Sequence, residues 1–264
     1  MRAKTIVFIH GMYMTPLCWE NWITYFQAKG YTCLAPAWPG RDKPVDTLRT
    51  NQFDKDLSAL TLSAVVASVA SAVAALDEKP VLIGHSMGGL VVQLLLQRDL
   101  AAAGVALDSA PPMGVFSLAW PFFKSNLPHI NPFLSKSQPV RMSFERFQYT
   151  FVNALPLEEQ RAAYDRYVVP ESRRVPAQSL TSVARIDFKK QHAPLLMIAG
   201  SNDHLIPASL NRTNYNKYKQ SSSMTDSSIT DFKEFAGRTH FIVGQKNWQE
   251  VAQYVLAWLD EKGL

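Results

Sequence analysis

Residues 81–96 read Val81-Leu82-Ile83-Gly84-His85-Ser86-Met87-Gly88-Gly89, then Leu90-Val91-Val92-Gln93-Leu94-Leu95-Leu96. A short apolar run rich in branched side chains ends on a serine set between glycines, and a long apolar run follows. The first half has the length and composition of a buried strand, and the second half that of a buried helix. Gly84, Ser86 and Gly88 give the pattern G-x-S-x-G at the junction. A sharp strand-to-helix turn forces its central residue into a strained backbone and brings neighbouring segments too close for a Cβ. In return the serine hydroxyl stands above the sheet edge at a helix N-terminus, where unpaired N–H groups favour negative charge. The alternative is a glycine-rich turn that only lets strand and helix pack. The two readings differ in what they require elsewhere, because a nucleophilic serine needs a base, an acid and an anion site.

Working outward, apolar runs alternate with longer helical patterns, which predicts an α/β fold with a mainly parallel sheet flanked by helices. Strands are expected in TIVFIH (5–10), YTCLAPAWPG (31–40), VLIGHS (81–86), VALDSAPP (105–112), PLLMIAGSND (194–203) and DFKEFAGRTHF (231–241). Helices are expected in CWENWITYFQAKG, with Gly30 as its stop signal, and in the alanine-rich 61–76, capped by Thr61 or Ser63. Two more follow the serine and close the chain, MGGLVVQLLLQRDL and NWQEVAQYVLAWLDEKG. Residues 41–60 read as a connecting loop, and the serines at 221–223 and 227–228 as an exposed one. Between Pro111 and Gln191 the rhythm changes: proline and aromatics crowd PPMGVFSLAWPFFKSNLPHINPF, and helical patterns follow in SFERFQYTFVNAL and PLEEQRAAYDRYVV. The expected organisation is a core of residues 1–110 and 192–264 with a helical cap inserted at 111–191.

The 264 residues suffice for one large α/β domain with a sizeable core. With 47% hydrophobic and 19% charged residues the chain is not of the disordered class. The net charge of +5 is spread without a basic run, which reads as a solvated surface and not as a nucleic-acid site. No stretch approaches the roughly 20 apolar residues of a membrane span, so no stable membrane insertion is expected. MRAKTIVFIHG reads as a first strand and not as a signal peptide. Cys18 and Cys33 have no metal-type spacing and are too few for a disulfide scaffold, which favours a reducing compartment, the cytoplasm.

For the base, His240 in GRTHFIVG lies just past the last expected strand, the position that suits a partner of Ser86. His10 falls in the first strand-to-loop turn, and His85 is expected to point away from its neighbour Ser86. His129 and His192 sit in or beside the expected insertion, and His204 follows an aspartate. For the acid, Asp203 follows the fifth strand directly and precedes His240 in the chain. Asp108 in VALDSAPP also ends a strand and is its rival, or else a turn residue capping the loop before Pro111 and Pro112. The oxyanion formed on acyl attack needs preorganised donors. The backbone N–H groups of Met87, at the helix start, and of Met12, in the loop after the first strand, fill that role. There Gly11 is expected to allow a tight turn. Tyr13, Phe116 and Trp120 are candidate pocket residues, beside Phe122, Phe123 and Phe133 of the cap.

Taken in order, HGMYMTPLCW, GHSMGG, AGSNDHLIP and GRTHFIVG resemble the α/β-hydrolase superfamily over nearly the whole chain. The resemblance implies a Ser-Asp-His triad, which falls on Ser86, Asp203 and His240, with Met12 and Met87 as oxyanion donors and no metal or organic cofactor. The early His10-Gly11 leaves out the opening antiparallel strands of many members, as in the compact branch with plant hydroxynitrile lyases and methylesterases. Those lyases carry a threonine after the corresponding histidine and a lysine beside the catalytic one, where this chain has Gly11 and Phe241. Dehalogenases and epoxide hydrolases of this fold use an aspartate where Ser86 stands. The expectation is therefore a serine esterase acting on small to medium, apolar carboxylic esters. Lactone, thioester or C–C bond hydrolysis, perhydrolysis, or a non-catalytic ligand receptor are the alternatives.

Overall fold

The computed structural model describes residues 3–50, 54–116, 120, 122, 124–125, 138–221 and 228–264. In chain order the body contains β1 (Thr5–Ile9), a 3-10 turn (Pro16–Trp19), α1 (Glu20–Gln27), β2 (Thr32–Leu34), α2 (Val45–Thr50), α3 (Lys55–Ala59) and α4 (Leu62–Ala74). It continues with β3 (Val81–His85), α5 (Met87–Leu96) and β4 (Ala103–Leu107). Between β4 and β5 lie α6 (Phe144–Thr150), α7 (Leu157–Tyr167) and α8 (Arg174–Gln178). The chain closes with β5 (Leu195–Gly200), α9 (Ala208–Ser221), β6 (Thr230–Phe235) and α10 (Trp248–Glu261).

The six strands form one sheet in the order β2-β1-β3-β4-β5-β6, every neighbouring pair parallel. β3, β4 and β5 are buried at every residue, as a strand covered on both faces must be, and this explains their unbroken apolar runs. Helix α5 is buried throughout, which matches its nearly uniform apolar sequence. On the other side Phe8 of β1 packs on Trp19 and Phe26 with ring centroids 5.1 and 6.0 Å apart.

Register decides what the sheet presents. Ile9 pairs with Gly84, His85 with Leu107, and Gly200 with Phe235. The carboxyl ends of the strands are thus nearly level, and the residues that follow them emerge along one edge. The chain leaves β1 outward to β2 and returns to β3 on its other side. This reversal opens a crevice at the carboxyl edge, where open parallel sheets hold their ligands.

Residues 41–60 depart from expectation, since α2 and α3 lie where a loop was read. Their six and five residues are too short to show a helical period. What holds them is side-chain bonding: Asp54 accepts the Leu57 N–H at 2.9 Å, and Arg49 donates to Val168 O and Tyr164 O at 2.8 and 2.9 Å. Thr61, and not Ser63, caps α4 by accepting the Ala64 N–H. Of the serine-rich patch, residues 222–227 lie outside the described residues, while Ser228 is half-buried and accepts the His192 N–H. Among the described residues no helix is long and apolar enough to cross a membrane.

Candidate active site

Ser86 stands between β3 and α5 at φ 57° and ψ −120°, a region that a residue with a Cβ avoids. The strain is held in place: the Ser86 N–H donates to Leu107 O, and its carbonyl accepts from Gly89 and Ala110. The two glycines of the pattern serve close approach. A Cβ on Gly84 would stand 2.2 Å from the Gly88 carbonyl oxygen, and one on Gly88 would stand 2.1 Å from that of Ile9. Gly11 serves the same purpose and not the tight turn expected of it. Its φ is not positive, and a Cβ there would meet the Ser86 Cβ at 2.8 Å.

His240 lies in the turn after β6, and its Nε2 is 3.0 Å from Ser86 Oγ. Its Nδ1 is 2.6 Å from Asp203 Oδ2. A carboxylate only accepts, so Nδ1 carries the hydrogen and Nε2 is left with the lone pair facing the hydroxyl. The other Asp203 oxygen accepts the Leu205 and Ile206 N–H groups at 2.7 and 2.8 Å. All three groups are buried, with Ser86 7% exposed. Burial, to which the Phe151 ring 4.7 Å away contributes, draws the His240 imidazole down from its ordinary range, so it rests neutral and able to take a proton. Burial pushes the Asp203 carboxyl up, and its two backbone donors oppose that shift.

Asp108, the rival acid, makes no bond to His240. It sits at φ 43° with Oδ1 accepting the Gly200 N–H at 2.7 Å, so it ties the ends of β4 and β5 together. That bond goes to the end of β5, not to His240 and not into the Pro111-Pro112 loop. Burial and the neighbouring Asp203 raise its pKa, which favours a neutral carboxyl. His85, read as pointing away, does avoid Ser86, but its Nε2 lies 2.7 Å from the His240 carbonyl oxygen. It therefore donates there and braces the segment that carries the imidazole. His10 is stacked on Trp38 and kept neutral by burial, its pKa pushed down to about 3. His192 and His204 bond backbone carbonyls, and His129 lies outside the described residues.

Met12 and Met87 line, together with Ser86, a cavity of about 80 Å³. Its walls include Tyr13, Phe122, Phe151, Leu205 and Ile206. Phe116 and Trp120, expected on this wall, are instead 72% and 74% exposed. Val115 takes the buried side of its segment, which leaves Phe116 on the other, and no described neighbour covers Trp120. Phe123 and Phe133 lie outside the described residues.

A feature without a local sequence signal supports the loop that carries Met12. Tyr13 adopts φ 63°, its N–H donates to Glu171 Oε2 at 3.2 Å, and its carbonyl accepts from Val169 at 2.9 Å. Glu171 is in turn paired with Arg41 at 2.7 Å, both side chains wholly buried, and Arg41 also donates to Pro170 O. Such an arrangement can hold a backbone donor in place beside a nucleophile, but the two charges lie 130 residues apart in the chain.

A family model described as the alpha/beta hydrolase family matches residues 6–254. The chain belongs to the alpha/beta hydrolase family. The probable esterase PIR7A of rice, Oryza sativa subsp. indica, is 33% identical over 118 residues, which is 42% of this chain and 40% of that protein. The match thus spans well under half of the curated relative. Among solved structures, an extracellular α/β-hydrolase from a Paenibacillus species superposes with a TM-score of 0.70 at 24% identity, covering 96% of this chain and 98% of that one. A pyrethroid hydrolase from Sphingobium faniae gives 0.70 at 19% identity, with 98% of each chain covered. At these identities the superpositions speak for the fold.

Proposed function

We propose that this hydrolase cleaves carboxylic esters of small to medium, largely apolar substrates through an acyl-enzyme on Ser86. The observation that carries the reading is the unbroken row from Ser86 Oγ through His240 to Asp203, at 3.0 and 2.6 Å. Ser86 Oγ attacks the ester carbon as its proton passes to His240 Nε2. Asp203 holds the imidazole in the required tautomer and balances the charge it gains. The carbonyl oxygen, now an oxyanion, is met by the N–H groups of Met12 and Met87. The intermediate collapses, and the alkoxide leaves as the alcohol with the proton from His240. Water then gives its proton to the same nitrogen, attacks the acyl carbon and releases the acid with Ser86 restored. The apolar walls around Ser86 favour an uncharged reacting group. Residues 111–191 serve as the cap that closes this cavity. The chain acts without a metal or organic cofactor, on a small molecule and not on nucleic acid. Its place in the cytoplasm is supported by Cys18 and Cys33, both free thiols.

A fluorophosphonate probe is expected to label Ser86, and Ser86→Ala to lose both labelling and roughly 10⁴ to 10⁶ of the turnover of p-nitrophenyl acetate. Substantial esterase activity in that variant refutes the assignment. Lactone, thioester or C–C bond hydrolysis and perhydrolysis use the same residues, and a substrate screen separates them. No labelling at all in the native protein speaks for a receptor.

A further inference from the structure

Two polar atoms beside the triad are buried and bond nothing among the described residues: Nδ1 of His85 and Oδ2 of Asp108. Neither residue has any exposed surface. Atoms of this kind are costly to leave bare, and folded chains hold few of them. One ring nitrogen of His85, one carboxylate oxygen of Asp108 and one ring nitrogen of His240 lie within 4.8 Å of one another. Both nitrogens of His240 are already engaged, by Asp203 and by Ser86. The cluster therefore has two open atoms, and not the three that would hold a cation.

The bonds already made decide what each open atom can do. A carbonyl only accepts, so the His85 Nε2 that meets the His240 carbonyl carries the hydrogen. Burial and the nearby His240 draw the His85 pKa well down, and a neutral ring with its hydrogen on Nε2 has a lone pair at Nδ1. His85 thus lacks a donor. On the other side, Oδ1 of Asp108 accepts the Gly200 N–H, which leaves Oδ2 as the place for a proton. Burial and the neighbouring Asp203 favour that protonated form. Asp108 thus has a hydrogen to give. The two needs answer each other.

We propose that Asp108 is a positioning residue for the base: its Oδ2–H donates to His85 Nδ1, directly or through one water, and so keeps His85 donating to the His240 carbonyl. Without that donor the His85 hydrogen is free to move to Nδ1, and a bare Nε2 then faces the lone pairs of the carbonyl. The line of bonds runs from Gly200, three residues before Asp203, through Asp108 and His85 to His240. It joins the strand ends that carry Ser86 and Asp203 to the turn that carries the imidazole. The proposal rests on the ester-hydrolase reading and gives a role to a second carboxyl that stands beside the acid without bonding His240.

The test is a cycle of substitutions. Asp108→Ala removes the donor, and kcat for p-nitrophenyl acetate is expected to fall roughly 10- to 100-fold with KM little changed. Asp108→Asn keeps an oxygen for Gly200 and an N–H for His85, and is expected to retain most of what the alanine loses. In a His85→Leu background the link is already cut, so the loss caused by Asp108→Ala should shrink by at least about threefold. A loss that shrinks less than this overturns the proposal. So does a near-native kcat in Asp108→Ala, or an asparagine variant no better than the alanine. Melting temperatures monitor folding. If Asp108→Ala or His85→Leu fails to fold, nitrogen NMR of the isotope-labelled native protein decides. The His85 ring, assigned by its loss in His85→Gln, is expected to show Nε2–H with a hydrogen-bonded Nδ1. A ring with its hydrogen on Nδ1, or an Nδ1 with the shift of an unbonded nitrogen, refutes the link. Fluorophosphonate labelling of native Ser86 separates the two failures. Retained labelling with an uncoupled pair removes the role of Asp108 alone, and absent labelling removes the hydrolase reading beneath it.

Discussion

The carboxyl edge of the sheet and the stretch between β4 and β5 meet at one cavity, but they are specified in different ways. Along the edge, each reacting group follows a strand end within a few residues, and backbone pairing sets its place. The Ser86 N–H is tied to Leu107 O, and Asp203 accepts two N–H groups from its own turn. In the stretch between β4 and β5, position depends on side chains that reach across the molecule. Arg49 bonds carbonyls of α7 and the residue after it, and Arg166 binds Glu20. The edge is therefore placed by local backbone pattern, whereas the other region is placed by long-range side-chain contact. Substitutions on the two sides should fail differently.

The largest effect after loss of the serine itself is expected at the acid. Asp203→Asn puts an amide where His240 Nδ1–H needs an acceptor, which favours the wrong tautomer, and kcat should drop by roughly 10⁴ with KM little changed. Asp108→Asn keeps an oxygen for the Gly200 N–H and replaces a carboxyl that burial already favours as neutral, so kcat should fall less than about tenfold. If the Asp108 variant proves the more damaged of the two, the acid has been placed on the wrong strand.

Next comes the point where the two regions join. Glu171→Ala leaves Arg41 charged and buried, and removes the acceptor that holds the Tyr13 N–H. Breaking such a pair costs about 3–5 kcal/mol of stability, which denaturant titration would register as a lower midpoint. A purely structural role predicts nothing beyond that loss. A role in positioning the Met12 donor predicts in addition that the surviving folded protein loses kcat and affinity for a trifluoromethyl ketone, which forms an oxyanion, while KM for substrate stays near its native value. Equal affinity for the ketone before and after substitution confines the pair to stability.

The same contrast explains what was legible in the sequence. The sheet and its helices are marked by apolar runs of strand and helix length, and Ser86, Asp203 and His240 each sit at a strand end that those runs disclose. Gly11 was legible as a required glycine, but its reason was not, because the reason is the Cβ of Ser86, 75 residues away. Helices α2 and α3 were hidden since five or six residues carry no period, and their support comes from Asp54, Val168 and Tyr164. Arg41 and Glu171 were invisible for a related reason: an isolated charge reads as surface until its partner is placed, and no pattern in the chain joins them. The aromatics of the 111–191 segment show the converse error. An apolar side chain there reads as a pocket wall by composition, although composition does not say which way it faces.

The smallest effect is expected from those aromatics. Phe116 and Trp120 are largely exposed, and the described wall of the cavity at Ser86 is built from Phe122, Phe151, Leu205 and Ile206 instead. Replacing an exposed side chain that makes few contacts changes stability by no more than about 0.5 kcal/mol. Phe116→Ala and Trp120→Ala should thus leave the melting temperature near its native value and kcat/KM for p-nitrophenyl acetate within roughly twofold. Phe122→Ala, on the wall itself, should raise KM by a larger factor, since it removes apolar area that the substrate covers. The informative comparison is among the three with esters of increasing chain length. If the exposed pair matters only for long acyl chains, the segment folds over an extended substrate and those side chains become part of the site. If they matter equally at every length, the division between the edge that reacts and the segment that selects must be redrawn to include them.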